Sequence, residues 1–297
     1  MAFKDLFARY FYGKPDKADY TQADLPETRR QLFFQVLRVR WGGMVGLNLL
    51  YLLFWLPAAV WTFLCLAQVY AQMTPEQLAL GGALNVNGLV FTWLLVLFPL
   101  VALTGPANMG VSYVLRNWAR DEHAYAWSDF WHGFRKNWKQ GLALEAVSGF
   151  VPLALYVWLN IVDIYGSVIV YVPAALAAIC ALIYALAAIL MPMMIVTYRQ
   201  GFFGHLKNAV IISLAELPRA IGVKLLTLVM PAIACACQLI DSERYAWVTS
   251  LILGLYCVFL LVFNKLILAS YANAMCEKHI NTKIDGAPVN IGLRREE

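Results

Sequence analysis

The sequence predicts an all-α, polytopic membrane protein with six transmembrane helices. Both termini fall on the cytoplasmic side, and an amphipathic interfacial helix opens the chain. Three observations predict this. First, long charge-free runs recur at Trp41–Pro75, Gln77–Leu115, Ala146–Val162, Ile164–Tyr198, Leu225–Ile240 and Tyr245–Asn264. A spanning helix needs about 20 mostly apolar residues to cross roughly 30 Å of hydrocarbon. The two shorter runs reach that length once Gln140–Glu145 and Ala220–Lys224 are added at their inner ends. Second, all of the 23 Lys and Arg except Arg244 fall on one side of this six-pass pattern. Basic residues near helix ends stay in the cytoplasm, which orients the chain N-in and C-in. Third, the chain is 61% hydrophobic and only 14% charged, outside the range of soluble domains.

The elements follow in order. Residues 1–40 form a cytoplasmic and interfacial segment, 41–275 the six-helix transmembrane domain, and 276–297 a cytoplasmic tail. Phe3, Leu6, Phe7, Tyr10 and Phe11 recur at helical spacing over residues 1–12, with Lys4 and Arg9 elsewhere on the wheel. Such a helix lies in the membrane interface or packs on the protein's own inner face. The first 20 residues lack a long apolar core, so no cleavable signal peptide is expected. Gly13–Pro26 reads as a loop, and Thr28–Arg40 as a second amphipathic stretch with Leu32, Phe33, Val36 and Leu37 on one side. It leads into a first span at Trp41–Tyr70.

The second span, about Asn87–Leu115, contains Pro99 and the run Thr104-Gly105-Pro106-Ala107-Asn108-Met109-Gly110. Proline kinks a helix. The small residues there admit a second helix closely, with Thr104 and Asn108 bonding across the contact. Thr104, Gly105, Pro106, Asn108 and Gly110 are therefore the candidate helix-packing residues. The third, fourth, fifth and sixth spans read as about Gln140–Val162, Val168–Thr197, Ala220–Ile240 and Tyr245–Tyr271. The tail reads as a cytoplasmic strap or a disordered end. The elbows Phe130–Asn137 and Phe202–Asn208 share a weak aromatic–cation pattern, each ahead of a span.

Chemistry is sparse. Intramembrane charges are costly and usually functional. Glu145, Lys224 and Lys265 fall near inner helix ends, where lysines reach water by snorkelling. Ion-coupled transport is disfavoured on that reading. Cys235-Ala-Cys237 has no His or acid at its depth, so two small hydrophobes are expected rather than a metal or redox pair. His123 and His132 sit with Asp121, Glu122 and Asp129 in a loop, either as a charged solvated stretch or as a metal-binding or acid–base group. No nucleophile motif, metal motif or phosphate loop occurs. The expectation is a non-enzyme with no cofactor and no metal. The bilayer is the expected partner. The net charge of +5 orients the chain and gives no reason to expect nucleic acid.

The loop between the second and third spans is the most specific segment. Ser128 or Asp129 can cap a helix. Phe130, Phe134, Asn137 and Trp138 then share one face, with Arg135, Lys136 and Lys139 toward phosphates. Aromatics on a cytoplasmic elbow are anchor-type residues. Asp129, Phe130, Phe134, Arg135, Asn137, Trp138 and Lys139 are the candidate partner-docking residues.

Several motifs carry a family resemblance. They are Gly105-Pro106-Ala107, Tyr113-Val114-Leu115-Arg116, Arg120-Asp121-Glu122, and Asp129-Phe130 through Phe134-Arg135-Lys136-Asn137-Trp138-Lys139-Gln140. Phe11-Tyr12-Gly13-Lys14 and Asn48-Leu49-Leu50-Tyr51 before Trp55-Leu56-Pro57 add to them. Together they resemble the YesL-like family of bacterial integral membrane proteins over most of residues 1–225. This chain departs in a larger polar N-terminal segment and a longer first outer loop. The family has no established activity. Its members are typical of Gram-positive bacteria and are often encoded beside carbohydrate ABC importers. The resemblance implies an accessory or scaffold subunit on the permease of such an importer. It would dock through the small-residue face Thr104–Gly110 and the aromatic elbow. The alternative is a stand-alone transporter or channel for a neutral solute such as a sugar, lined by Asn48, Trp55, Trp93 and Asn108. Nothing in the pattern selects an oligomeric state.

Overall fold

The computed structural model describes residues 25–72 and 86–294. The amphipathic stretch read over residues 1–12 and most of the first outer loop lie outside the described residues. Helix α1 (Arg29–Val39) starts where Thr28 and Gln31 form a reciprocal capping box, and it buries Leu32 and Val36. Arg40 interrupts the helix, so α1 is separate from α2 (Trp41–Gln72) rather than its first turns. The second span is broken. α3 (Val86–Leu103) and α4 (Gly105–Trp118) meet at Thr104 with a 46° bend. The bend falls beside Pro106, which is tolerated in the first turn of α4 because its missing N–H would have had no intrahelical partner there.

α5 (Ala126–Tyr165) is one helix of 40 residues that ends at Gly166 in a left-handed conformation. The segment read as an elbow ahead of the third span is thus the first three turns of that span. α6 (Val168–Thr197) matches its expected bounds. α7 (Phe202–Ala215) and α8 (Leu217–Ile240) are separated at Glu216, next to Pro218. The last span comprises α9 (Ala246–Leu255), a π-helical turn at Tyr256–Leu260 and α10 (Leu261–His279). Among the described residues, five helices are long and apolar enough to cross a membrane, and six counting α3 and α4 as one bent span. The protein is an all-helical membrane protein.

α4 is the core. Twelve of its 14 residues are buried, and it packs on α2, α5, α6 and α10. Its contact with α5 is backbone on backbone. A Cβ at Gly105 would lie 2.2 Å from the Gly141 carbonyl oxygen, and one at Gly141 would lie 2.5 Å from that of Gly105. Further along, a Cβ at Gly110 would meet the Phe130 carbonyl oxygen at 2.7 Å, and one at Gly133 would meet Tyr113 Cβ at 2.6 Å. Lipid tails are as apolar as leucine, so spanning helices gain by this close fit and not by leaving water.

One end of the bundle is closed by arginines. Arg29 pairs with Glu277 and donates to the Ile291 carbonyl at 2.8 Å. Arg116 donates to the Val196 carbonyl at 3.0 Å, and Arg120 to Asn273 Oδ1 at 2.9 Å. Residues 280–294 fold back across this end. Asn281 accepts from the Tyr198 hydroxyl at 2.6 Å, and the Arg294 N–H donates to the Pro26 carbonyl at 3.0 Å. The tail is a strap as far as it is described.

The glycine contacts yield a first prediction. Gly141→Ala is expected to destabilise the protein by about 1–3 kcal/mol, as overpacking does. Gly222→Ala, with nothing within 4 Å of its added Cβ, is expected to leave it unchanged. Thermal unfolding of both variants in one detergent checks this.

Candidate functional site

The charges that sequence reading placed at helix ends meet inside the bundle. Asn108 on α4 donates through Nδ2 to the Glu145 carboxylate on α5. Its Oδ1 accepts from Lys265 Nζ on α10 at 2.7 Å and from Ser112 Oγ at 3.3 Å. The Lys265 ammonium also lies 5.1 Å from the centre of the Tyr51 ring on α2, a cation–π contact. Lys224 on α8 lies within electrostatic reach of both Glu145 and Lys265. Lys265 therefore does not snorkel to the helix end. It is held in place by Asn108 and Tyr51, and one amide bridges a cation and a carboxylate that would otherwise face each other across a low-dielectric gap. Next to this cluster, Tyr184 on α6 donates to the Leu144 carbonyl at 2.7 Å and pairs with Ser148 Oγ at 3.0 Å. The chain thus gathers ionisable and hydroxyl groups from α2, α4, α5, α6 and α10. The signal for this in the sequence was that Glu145, Lys224 and Lys265 each interrupt or border an apolar run. Their convergence depends on helix order, which hydropathy does not carry.

A second Asn performs a purely structural task. Asn48 donates to the carbonyls of Tyr256 and Cys257 at 3.0 and 2.8 Å, and its Oδ1 accepts the Val262 N–H at 3.0 Å. It satisfies the backbone groups that the π-helical turn leaves without partners. Asn48 and Asn108 are consumed by these bonds and do not line an open path. Trp93 stands apart from them. It donates to Thr62 Oγ1 at 3.1 Å and borders an apolar cavity with Cys65, Leu66, Val69 and Leu89. Trp55 packs edge-on against Tyr51.

The small-residue face, expected to meet another protein in the bilayer, is turned inward. Thr104, Gly105, Pro106, Asn108 and Gly110 are all buried. Thr104 Oγ1 donates to the Val101 carbonyl at 2.8 Å within its own bend. Close approach is used for the contact with α5, so this face is not available to a permease.

The aromatic elbow divides in two. Phe130 is fully buried against Gly110. Phe134 and Trp131 are half-buried against Phe54 of α2, with ring centres 5.6 and 6.4 Å away. These rings wedge α5 onto α2 and are not bare, because the apolar stripe faces the bundle. Asp129 accepts the Tyr125 N–H at 3.1 Å and caps the start of α5, and Asn137 bonds back to the Gly133 carbonyl at 3.4 Å. The rest of the segment is exposed: Trp127 at 66% exposure, Arg135, Lys136, Trp138 at 47% and Lys139. Lys139 lies 5.6 Å from the Trp138 ring. Among the described residues, no ion pair involves Arg135, Lys136 or Lys139. His123 and His132 are also exposed and stack separately on Tyr125 and Tyr113, so they do not form one centre with Asp129. No group of three metal-binding side chains occurs among the described residues.

The central part of this arrangement has a relative. Residues 44–159 match the family described as "Protein of unknown function, DUF624". The YesL-like resemblance is consistent with that match. It spans the close α4–α5 contact, Asn108, Glu145 and the exposed face of α5, and it ends before Lys224 and Lys265. No curated protein and no solved structure matches the chain.

At the closed end, Glu216 joins α7, α8 and α10. It accepts from Arg219 at 2.7 Å and from His279 at 3.0 Å, and it pairs with Lys278. Hydrogen bonds from Lys278 and His279 hold its carboxyl down to about 2 from the usual 4.5. A carboxyl whose value is lowered on folding adds stability above its unfolded value and loses it as pH falls. The stability gap between wild type and Glu216→Gln is therefore expected to be full above pH 4.5 and to close between 4.5 and about 2. Unfolding midpoints across that range check it.

The buried cluster yields a further prediction. Glu145→Ala leaves Lys265 and Asn108 facing a void and is expected to cost about 3–5 kcal/mol. Glu145→Leu combined with Lys265→Met is expected to recover most of that loss. A double-mutant cycle on unfolding midpoints measures the coupling.

Proposed function

We propose that the protein is a non-enzymatic membrane accessory protein that docks a partner on the exposed cationic face at the start of α5. The observation that carries this reading is the division of that segment. Phe130, Trp131 and Phe134 are packed inward, while Trp127, Arg135, Lys136, Trp138 and Lys139 stand exposed, and among the described residues the three cations have no ion pair. Tryptophan and arginine are the residues that most often anchor protein interfaces. Rigid display on a long helix lowers the ordering cost of binding. The polar residues of the interior hold helices together, which suits a scaffold more than a conduit. The YesL-like resemblance points to the permease of a carbohydrate ABC importer as the partner, on the cytoplasmic side of the cell membrane.

The test is a mild-detergent pull-down of the tagged chain from its native membrane, with quantification of importer subunits. Wild type is expected to recover permease, and Arg135→Glu with Lys139→Glu to recover about tenfold less. The double variant is expected to unfold at the wild-type temperature, because neither side chain is packed. Equal recovery by the double variant would remove the docking face from the proposal. Sugar uptake by vesicles holding this chain alone would replace the accessory reading with the neutral-solute transporter.

A further inference from the structure

The hairpin formed by α8 and α9 is bounded at both roots by a break in its helices. At one root Glu216 separates α8 from α7, next to Pro218. At the other, the π-helical turn Tyr256–Leu260 separates α9 from α10. Both roots are held in place. Glu216 pairs with Lys278 and His279 of α10, and Ala220 lies in an apolar cluster with Leu186 and Ile189 of α6. Asn48 of α2 bonds the carbonyls of Tyr256 and Cys257. Past these roots the hairpin is tied to itself more than to the bundle. Beyond Ala220, α8 buries only Thr227, and α9 buries only Ile252. Leu226, Val229, Ile233 and Leu239 of α8 and Trp247 and Leu253 of α9 are exposed. Between the two helices, Gln238 Nε2 donates to Thr249 Oγ1 at 2.9 Å. At the turn, Asp241 Oδ1 accepts the Arg244 N–H at 2.9 Å and the Asp241 carbonyl accepts the Tyr245 N–H at 3.1 Å.

A glycine lies near each root. Gly222 and Gly254 are both helical, and a Cβ added at either meets nothing within 4 Å. Close approach requires the glycines of the α4–α5 contact, but no neighbour requires these two. A glycine that packs against nothing leaves its helix easier to bend, because no side chain narrows its backbone freedom. Hinges are a few residues at the ends of elements that absorb a change in backbone angles. A π-helical turn is a common place for a helix to kink, and it recurs at functional positions. The bilayer removes one cost of movement. Lipid tails are as apolar as leucine, so parting an apolar flank from its neighbour forfeits no hydrophobic free energy.

We propose that α8 and α9 swing as one rigid element about the Gly222 root and the π-helical turn. The bonds of Glu216 and Asn48 stay closed and fix the two pivots, while the Asp241 turn travels. A swing of about 10° over α8, which is about 36 Å long at about 1.5 Å per residue, displaces that turn by about 6 Å. The movement widens and narrows the space between the outer parts of α8 and α6, from the bilayer side. It involves no residue of the docking face on α5.

The experiment uses the full chain in phosphatidylcholine nanodiscs. Pairs of spin labels are attached to ketone-bearing residues introduced by codon suppression, so the native cysteines stay in place. Pulsed electron paramagnetic resonance reads the distance distribution of each pair. Ile169 with Leu239 reports hairpin against bundle, Tyr70 with Ile169 reports the bundle, and Leu226 with Trp247 reports the hairpin; all five side chains are exposed. Ile169 with Leu239 is expected to show two populations about 6 Å apart, and the other two pairs one each. Gly222→Ala with Gly254→Ala is expected to collapse the two populations into one at the wild-type unfolding temperature. A single distance between Ile169 and Leu239, as narrow as that between Tyr70 and Ile169, would overturn the proposal. Equal breadth at all three pairs would overturn it too, since the whole chain would then be loose. Two populations that persist unchanged in the double glycine variant would overturn the assignment of the hinge.

Discussion

The near contact of two backbones, α4 on α5, is the constraint from which the rest of the structure follows. At Gly105 and Gly141 each helix fills the space a Cβ would need on the other. Within a bilayer the hydrophobic effect does not favour one apolar partner over another, so helices are selected by fit. Glycine is costly inside a soluble helix. Here that cost is offset by dispersion contacts and by the short distance over which side chains on the two helices can then bond. Asn108 and Glu145 meet because Gly105 and Gly141 bring their helices together. A bulkier pair there would separate the amide from the carboxylate and leave both in an apolar medium.

The polar cluster in turn decides which helices are held tightly. α2, α4, α5 and α10 each place a group in direct contact with it: a ring, an amide, a carboxylate and an ammonium. α8 contributes only charge at a distance. The exposures match this difference, because nearly all of α4 is buried and almost none of α8 is. Few buried contacts make an element easy to open locally. Glu216 compensates at one end by tying the α7–α8 junction to Lys278 and His279 of α10. The first part of α8 is thereby anchored while its flank remains free to face lipid.

The architecture was legible in the sequence because bilayer thickness and the inventory of apolar runs leave few alternatives. The fourth span could be read to the residue, Val168–Thr197, since charge or turn residues border it. The second span needed its small residues, Thr104 to Gly110, and these do mark the break and the close contact. What they contact was not legible. A glycine face states that some helix comes near, without saying whether it belongs to the same chain. The elbow failed for a related reason. Phe130 and Phe134 share a stripe with Trp138, and period alone does not distinguish a stripe that wedges onto α2 from one that faces a partner. The exposed cations beside it, Arg135 and Lys139, carried the more reliable signal, since burying an ammonium or guanidinium is costly unless polar partners compensate it.

The same rule explains one misreading. Lys265, near a span end, was expected to snorkel because a lysine can reach water along its flexible stem. Snorkelling is a default that holds only where no partner is available inside. Here Asn108 offers an acceptor, Tyr51 a π face and Glu145 the compensating charge, so the interior outcompetes the interface. Lys224 has the same stem and a similar distance to run, yet no acceptor of its own among the described residues. It stays partly accessible. Two lysines of like depth thus have opposite environments. The difference lies in helix packing, since α10 is locked against α4 whereas α8 stands off from it.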